Sequence, residues 1–179
     1  MSDLTLAHTA DLAPADLTTI RRLLDDAFDG EFADEDWDHA LGGVHVVVRE
    51  DGVIVAHACV VQRRLIHRGL AIRTGYVEAL AVNKAHRRRG HAEAAMTASE
   101  RVIRAAYDLG ALSDGTGIQD FYQRRGWLTW SGPTWVLAPT GMERTADDDG
   151  GVLVLPTPTS PELDLDDAIT CDWRTGDVW

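Results

Sequence analysis

The chain has 179 residues, of which 45% are hydrophobic and 26% charged, and its formal net charge is −12. This length suits one domain over residues 1–179, and no apolar run approaches the roughly 20 residues that a bilayer-spanning helix needs. The first residues lack the basic and then apolar pattern of a signal peptide, and Cys59 and Cys171 are expected to be reduced thiols. Collagen-like, disordered and membrane-spanning classes are therefore excluded, and we expect a cytoplasmic protein with no membrane partner.

The front half of the chain predicts two helices and then an antiparallel group of strands. In chain order we expect a strand over Leu4–Thr9, a helix that begins at Pro14, a short helix over Glu35–Leu41, and strands over His45–Arg49, Val53–Gln62, Leu65–His67 and Ala71–Val82. Turns at Glu50-Asp51-Gly52 and Arg68-Gly69 would join the last four strands into hairpins.

The rear half predicts a long helix followed by shorter elements. In chain order we expect a helix over residues 91–109 that stops at Gly110, a strand over Ala111–Ser113, a helix over Ile118–Arg125, and strands over Trp127–Trp130, Val136–Ala138, Val152–Leu155 and Ile169–Trp173. An antiparallel front half with a later crossover helix predicts an α/β protein of the α+β type. Its centre is expected to be a mixed, mostly antiparallel β-sheet flanked by α-helices.

Charge is distributed unevenly along the sequence. Asp25–Asp38 carries eight carboxylates and no cation, Gln62–Arg125 carries twelve Lys and Arg against six acids, and Gly141–Trp179 carries ten carboxylates against two arginines. We expect an anion-binding face and a cation-binding face, although any one run can also be ordinary solvated surface. Nucleic acid is not an expected partner, because it needs a broad basic stripe on a basic domain.

The most informative segment is the apolar strand Tyr76–Val82, which is followed by NKAHRRRGHAEAAM. Gly90 and the small Ala92 would let a ligand approach the backbone at the start of the long helix. The first N–H groups of that helix, its dipole and the arginines Arg87, Arg88 and Arg89 suit a pyrophosphate. The alternative is a plain strand–helix turn with surface arginines.

This R-x-x-G-x-A turn resembles the Q/R-x-x-G-x-G/A motif of the GCN5-related N-acetyltransferase (GNAT) superfamily, whose backbone amides hold the pyrophosphate of acetyl-CoA. The later segment FYQRRGW resembles that superfamily's helix with a tyrosine near the thioester sulfur, here Tyr122. Many members place an asparagine seven residues earlier, where this chain has Gly115. The resemblance implies the GNAT fold, acetyl-CoA as cosubstrate, no metal, and cofactor contacts from Leu80, Ala81, Val82, Arg87, Arg88, Arg89, Gly90, His91 and Ala92.

Longer segments resemble the aminoglycoside 2'-N-acetyltransferases. They are GGVHVVVREDGVIVAHACVVQRRLIHRG, GYVEALAV, YDLGALS, GPTWVLAPTG, RTADDDG and CDWRTGDVW, whereas Asp114–Asp120 and Pro156–Asp166 fit less well. This resemblance implies direct acetyl transfer to the 2'-amino group of aminoglycosides in a ternary complex, a role in drug resistance, and a homodimer. It also implies that the acidic segment 141–179 completes the substrate pocket, with contacts from Asp36, Ser113, Asp148 and Asp177. Glu31, Glu78 and Trp179 are further candidate substrate ligands, and the indole of Trp179 is expected to offer a face to a sugar ring or a cation.

The chemistry of the residues agrees with an acetyl transfer. An amine must lose a proton before it attacks a thioester, and Glu78 is the only acid in the strand beside the turn, so we expect it to be the general base. Tyr122 is the candidate proton donor to the departing thiolate, and backbone N–H groups of Leu80 or Val82 are candidates to polarise the thioester oxygen. The alternatives are an edge-exposed Glu78 and a Tyr122 that only packs in the core.

Other kinds of site and function have weaker support in the sequence. The seven histidines match no Cys/His zinc spacing, no G-x-S-x-G elbow of a hydrolase occurs, and no cysteine is placed as a nucleophile. Two rival functions stay open at this point. One is an acetyltransferase for another polycationic amine, such as a polyamine or a cell-wall amino sugar, and the other is a catalytically idle acyl-CoA sensor.

Overall fold

The computed structural model describes residues 2–179, which divide into two compact units. The first unit comprises the chain up to Val61 together with Val77–Val102, and the second comprises Gln62–Tyr76 and Ile103–Trp179. Strands β3 (Val53–His67) and β4 (Leu70–Val82) and helix α3 (His91–Ala106) contribute residues to both units. Within residues 2–179, no helix has the length and apolar character needed to cross a membrane. The prediction of a single domain stays a prediction.

The first unit places helices on both faces of an antiparallel sheet. Its further elements are β1 (Ser2–His8), α1 (Pro14–Ala27), α2 (Asp34–Ala40) and β2 (Val44–Glu50), and β2 pairs with β1 on one side and β3 on the other. Alternate residues of a strand point to opposite faces, so Val46 and Val48 pack with Ala95 of α3, while Val47 packs with Ile20 of α1. The front-half predictions are confirmed, with β3 running unbroken through the expected gap after Gln62.

The second unit contains the rear strands in a mixed arrangement. Its further elements are β5 (Leu109–Ser113), α4 (Gln119–Gln123), β6 (Leu128–Thr129), β7 (Thr134–Ala138), β8 (Gly141–Arg144), β9 (Val152–Pro156) and β10 (Ile169–Asp172). The strand order is β6-β9-β5-β4-β3-β10-β7-β8. The pairs β4–β5 and β7–β10 are parallel, whereas β5–β9, β6–β9, β3–β10 and β7–β8 are antiparallel. The predicted mixed, mostly antiparallel sheet is confirmed.

Two rear-half predictions are wrong in detail. Helix α3 ends at Ala106 rather than at residue 109, and Gly110 lies inside β5, paired with Leu155. A Cβ at Gly110 would lie 3.0 Å from side-chain atoms of both Ile103 and Leu155, so close packing rather than a helix stop requires glycine there. Strand β8 was not expected, because its polar, largely exposed sequence GMER lacks an apolar alternation and is fixed by pairing with β7.

Candidate active site

Each unit contains its own group of candidate functional residues, and the first group, here called the first component, is the turn between β4 and α3 in the first unit. Helix α3 begins at His91, as predicted, and Arg88 and Gly90 just before it have positive φ angles of 61° and 82°. No atom lies within 4 Å of the position where a Cβ of Gly90 would be. The turn therefore leaves space for a ligand at the start of a sixteen-residue helix, and the first N–H groups of a helix are an arrangement that binds anions.

The side chains around this turn have separate roles. Arg87, Arg88 and Arg89 are all exposed, so they can supply positive charge to a pyrophosphate. The side chains of Leu80 and Val82 pack against the apolar cluster that includes Ala95 of α3, and Ala81 packs against α1. Contacts of these three residues with a cofactor would therefore come from their backbone. The residues present fit the pyrophosphate of acetyl-CoA.

Strand β4 contains a strained residue beside the predicted general base. Ala79 has φ of +53°, a left-handed conformation that a residue with a Cβ rarely adopts. Its carbonyl oxygen accepts a 2.9 Å hydrogen bond from Nδ1 of His57. Such conformations persist only where the surroundings fix them, and they are concentrated at functional sites. Glu78 and Leu80 flank this residue, so the local kink determines where their groups lie.

A chain of buried hydrogen bonds supports Ala79 from within the first unit. Nδ1 of His45 lies 2.9 Å from Nε2 of His57, and Nε2 of His45 lies 2.7 Å from the Thr9 hydroxyl. Because a carbonyl can only accept, His57 carries its proton on Nδ1, and each preceding group donates to the next. Burial lowers the pKa of His57 to about 3 and that of His45 to about 4, so both rings stay neutral.

His45 and His57 were not among the site residues predicted from the sequence. The sequence feature that could have indicated their contact is the hairpin between β2 and β3. It pairs His45 with Cys59, and this places His57 at the neighbouring diagonal position on the same face. What the sequence could not show is that His57 reaches the carbonyl of a kinked strand. The two rings therefore count as supporting residues of the strand that carries Glu78.

Glu78 is partly buried, between the two alternatives that the sequence left open. Burial raises the pKa of the Cys59 thiol well above its usual range, and the charge of Glu78 raises it further. The Cys59 thiol also donates to the carbonyl of Ala40, at 3.1 Å. Burial likewise raises the pKa of Cys171 to about 11. Both thiols are protonated at neutral pH, which makes them poor nucleophiles and disfavours an acyl-enzyme.

The acidic run Asp25–Asp38 is less available to a cation than its composition suggested. Arg21 pairs with Asp25 at 2.8 Å and with Asp34 at 2.9 Å, and Lys84 pairs with Asp29. Of the two predicted substrate ligands here, Asp36 accepts a 2.9 Å hydrogen bond from the backbone N–H of Ala33 at the start of α2, and Glu31 is exposed. Pairing thus neutralises part of this run, and helix capping is an observed role of Asp36.

The second component is the group of candidate residues within the second unit, where Ser113 and Asp148 come close to one glycine. A Cβ at Gly151 would lie 3.9 Å from Oγ of Ser113 and 3.3 Å from the carbonyl oxygen of Asp148. The pKa of Asp148 is raised, first by burial and next by the charge of Asp177. The Ser113 hydroxyl and the backbone of Asp148 therefore lie near the same glycine, and the carboxylates of Asp148 and Asp177 are close enough to repel each other.

The structure distinguishes the predicted ligand Asp148 from the aspartates on either side of it. Asp149 accepts from the backbone N–H and hydroxyl of Thr134, both at 3.0 Å, and from Arg144 at 2.9 Å. These donors hold the pKa of Asp149 well below its usual range, the bond from Arg144 contributing most. Asp147 is exposed, whereas Asp148 is partly buried and close to Asp177. The contacts therefore favour Asp148 as the ligand for a substrate ammonium group.

The last residues form a connected tail around Trp179. Its side chain is only 3% exposed, and its indole N–H donates to the Thr145 hydroxyl at 2.9 Å. Its backbone N–H donates to Asp177 at 3.2 Å, and Arg174 donates to the carbonyls of both residues. Buried in this way, the indole presents little surface to a ligand, and its contacts fix the position of Asp177.

Tyr122 lies in α4 and is 6% exposed, with its ring edge-on to Phe121 and Trp127. Burial raises the pKa of its hydroxyl above the usual range, and the charge of Asp114 adds to this effect. Asp114 has a buried carboxylate oxygen without a hydrogen-bond partner among the described residues. Sequence reasoning missed Asp114, whose only signal was its position directly after Ser113, in a stretch that fits the resemblance less well.

Similarity to known proteins identifies the family of this chain. Residues 15–127 match the model of the acetyltransferase (GNAT) family. A relative from Mycolicibacterium fortuitum, named aminoglycoside 2'-N-acetyltransferase, is 52% identical over 176 residues, covering 97% of this chain and 90% of the relative.

Solved structures support the fold at low sequence identity. Escherichia coli ElaA has a TM-score of 0.62 at 14% identity, and an acyl-CoA N-acyltransferase from Pseudomonas aeruginosa has a TM-score of 0.61 at 16% identity. Each match covers 87% of this chain and 99% of the solved chain. With a matching family model, a close relative and a shared fold, the chain belongs to the GNAT acetyltransferase family.

Proposed function

We propose that this enzyme transfers the acetyl group of acetyl-CoA to the 2'-amino group of aminoglycoside antibiotics and thereby confers resistance to them. The observation that carries the proposal is the 52% identity, over 97% of the chain, to the aminoglycoside 2'-N-acetyltransferase of Mycolicibacterium fortuitum. The clustered carboxylates of Asp148 and Asp177 support it, because an aminoglycoside carries several ammonium groups.

In this proposal Glu78 is the general base. Acetyl-CoA, when bound, supplies the acetyl group as a thioester. Glu78 removes a proton from the substrate ammonium, directly or through one water, so that the nitrogen lone pair can form the new C–N bond. A backbone N–H of Leu80 or Val82 donates to the thioester oxygen as negative charge develops there. The turn at Arg87–Ala92 binds the pyrophosphate, and no metal takes part in the transfer.

Tyr122 acts on the sulfur in this proposal. Its hydroxyl keeps its proton because burial raises its pKa, so it donates a hydrogen bond to the sulfur as the C–S bond breaks. Over the whole reaction the amine nitrogen loses two protons. One of them ends on the thiol of CoA, and Glu78 passes the other to solvent. The bonds and charges then balance without an acyl-enzyme, in one ternary complex.

The substrate ligands are proposed to be Glu31, Asp36, Glu78, Ser113, Asp148, Asp177 and Trp179. Asp148 and Asp177 are expected to contribute most, since their mutual repulsion is relieved when an ammonium group binds. Trp179 is expected to act by holding Asp177 in place. A cytoplasmic homodimer is also part of the proposal, and light scattering after size-exclusion chromatography would measure the oligomeric state.

The test is release of CoA thiol from acetyl-CoA in the presence of two drugs. Tobramycin carries an amine at the 2' position, and kanamycin A carries a hydroxyl there. We expect turnover with tobramycin alone, and a lower KM for it than for spermidine or glucosamine. Equal turnover with both drugs would overturn the 2' assignment, a preference for spermidine or glucosamine would favour the rival amine substrates, and no release from any amine would favour the idle sensor.

A further inference from the structure

Three potential metal ligands from separate segments of the first unit converge beside the start of α3. They are Glu50 at the end of β2, His86 in the 3-10 turn Lys84–His86, and His91, the first residue of α3. One ligand atom from each lies within 4.8 Å of the others. Nδ1 of His86 is 2.6 Å from Oε2 of Glu50, and Nε2 of His91 is 3.5 Å from the same oxygen.

His91 contributes a buried nitrogen atom, unpartnered within the described part of the chain, to this cluster. Its side chain is only 7% exposed, and its Nε2 atom is buried without a hydrogen-bond partner among residues 2–179. A buried polar atom in that condition costs about 1 to 3 kcal/mol. The atom faces the Glu50 carboxylate at a distance too long for a hydrogen bond, and a neutral imidazole nitrogen has a lone pair that a cation can accept.

We propose that Glu50, His86 and His91 bind one divalent cation of the zinc class, with water completing its coordination. Two imidazole nitrogens and one carboxylate oxygen suit zinc and similar transition metals, whereas magnesium and calcium prefer oxygen ligands alone. Ligand atoms around tetrahedral zinc lie about 3.3 Å apart, close to the Glu50–His91 separation. The Glu50–His86 pair must open by less than ~1 Å, as zinc replaces the hydrogen-bonded proton between them.

The three ligands of the cluster are far apart in the sequence. Glu50 is 36 residues before His86, so the three ligands form no short motif, and only the fold brings them together. Arg89 is the one drawback of the site, because its guanidinium lies 3.3 Å from Oε2 of Glu50. That side chain is 52% exposed and can turn into solvent, so it competes with a cation without blocking it. The cation lies outside the acetyl-transfer steps proposed above.

The test uses the untagged full chain, freed of metal with a chelator, and titration calorimetry with Zn²⁺ alone. We expect one Zn²⁺ per chain, and Co²⁺ should give the visible absorption of a site with nitrogen ligands. Glu50→Gln and His86→Gln should each weaken Zn²⁺ binding at least tenfold. The control His8→Gln, an exposed histidine outside the cluster, should bind Zn²⁺ like the unmodified chain.

A fourth variant gives an expected change in the opposite direction. Arg89→Gln removes the competing guanidinium, so it should bind Zn²⁺ at least as tightly as the unmodified chain. No stoichiometric Zn²⁺ binding, equal binding by Glu50→Gln and His86→Gln, or a preference for Mg²⁺ or Ca²⁺ would each overturn the proposal. Thermal melts of the metal-free variants show whether they fold. Because neither acetyl-CoA nor a drug is present, the result is independent of the proposed acetyl transfer.

Discussion

The first component, in the first unit, and the second component, in the second unit, are built in different ways. The anion-binding turn and the strained strand beside it come from one continuous segment, Val77–Ala92, whose strand end, left-handed turn and helix start are local features. The carboxylates of the second unit, by contrast, come from Asp148 and Asp177, and long-range contacts through Thr145 and Trp179 hold them. The first arrangement can be identified in a sequence by its spacing, and the second depends on the folded tail. Changes in the two should therefore affect different kinetic constants.

The largest effect is expected in the first component. Glu78→Gln should lower kcat/KM by about 10² to 10⁴-fold, because the amide cannot accept the substrate proton. The acid limb of the pH profile of kcat/KM should also move to higher pH, where more of the amine is already neutral. Glu143→Gln, an exposed acid of the second unit, is the control and should leave both unchanged. A Glu78→Gln enzyme with an unaltered pH profile would exclude Glu78 as the base.

The next effect should appear in the second component and in one constant only. Asp148→Asn should raise the KM for tobramycin by about 10 to 100-fold, since a hydrogen bond to a charged group is worth about 1.5 to 3 kcal/mol. The KM for acetyl-CoA should stay within about twofold. Asp147→Asn is the matched control, because its side chain is exposed and adjacent in sequence. Equal rises in both KM values would show that Asp148 has a structural role instead.

A third prediction concerns how the free energy of unfolding depends on pH, through the two buried histidines that support Ala79. His45 and His57 are neutral when folded, with pKa values lowered to about 4 and about 3, whereas unfolding lets them take up protons near pH 6.5. The folded state therefore binds fewer protons, and the free energy of unfolding should fall on acidification, by about 2 kcal/mol between pH 6.5 and 5.5 for the pair.

Denaturant unfolding at several pH values measures this slope. His57→Gln should remove about half of it. The exposed His8→Gln variant removes only the smaller contribution of the His8 charge to the lowered pKa of His45, so most of the slope should remain. A slope that persists in full after His57→Gln would mean that other groups cause the acid sensitivity.

The smallest effect should come from the tail. Thr145→Val removes the acceptor of the indole N–H of Trp179, and it should lower the free energy of unfolding by about 1 kcal/mol. Thr145→Ser keeps the hydroxyl and should retain most of the stability, as thermal or denaturant melts can determine. No loss in Thr145→Val, or a larger loss in Thr145→Ser, would show that this hydrogen bond does not contribute the stability.

The features that could be predicted from the sequence are the local ones. The helix start at His91, the turn at Gly90 and the antiparallel front strands could be predicted, because their signals are periodicity and local backbone requirements. Sequence alone could not show that Gly110 packs inside a strand, since a glycine near a helix end has the same local signal in both cases.

Contacts between residues that are far apart in the sequence could not be predicted either. The composition predicted a basic middle and acidic flanks, but Arg68 pairs with Asp164 and Asp167, at 2.5 Å and 2.9 Å, across about 100 residues of chain. Neither that neutralisation nor the Glu50, His86 and His91 cluster follows from spacing. Both arise when the sheet brings remote segments together, a step for which one sequence holds no direct signal.

The position of the acetyl group in the product tests the proposed 2'-N-acetylation directly. Tobramycin acetylated by this enzyme can be purified, and two-dimensional NMR can assign the amide to one nitrogen. We expect a single acetyl group, on the 2' nitrogen. An acetyl group on any other nitrogen, or a mixture of positions, would contradict it.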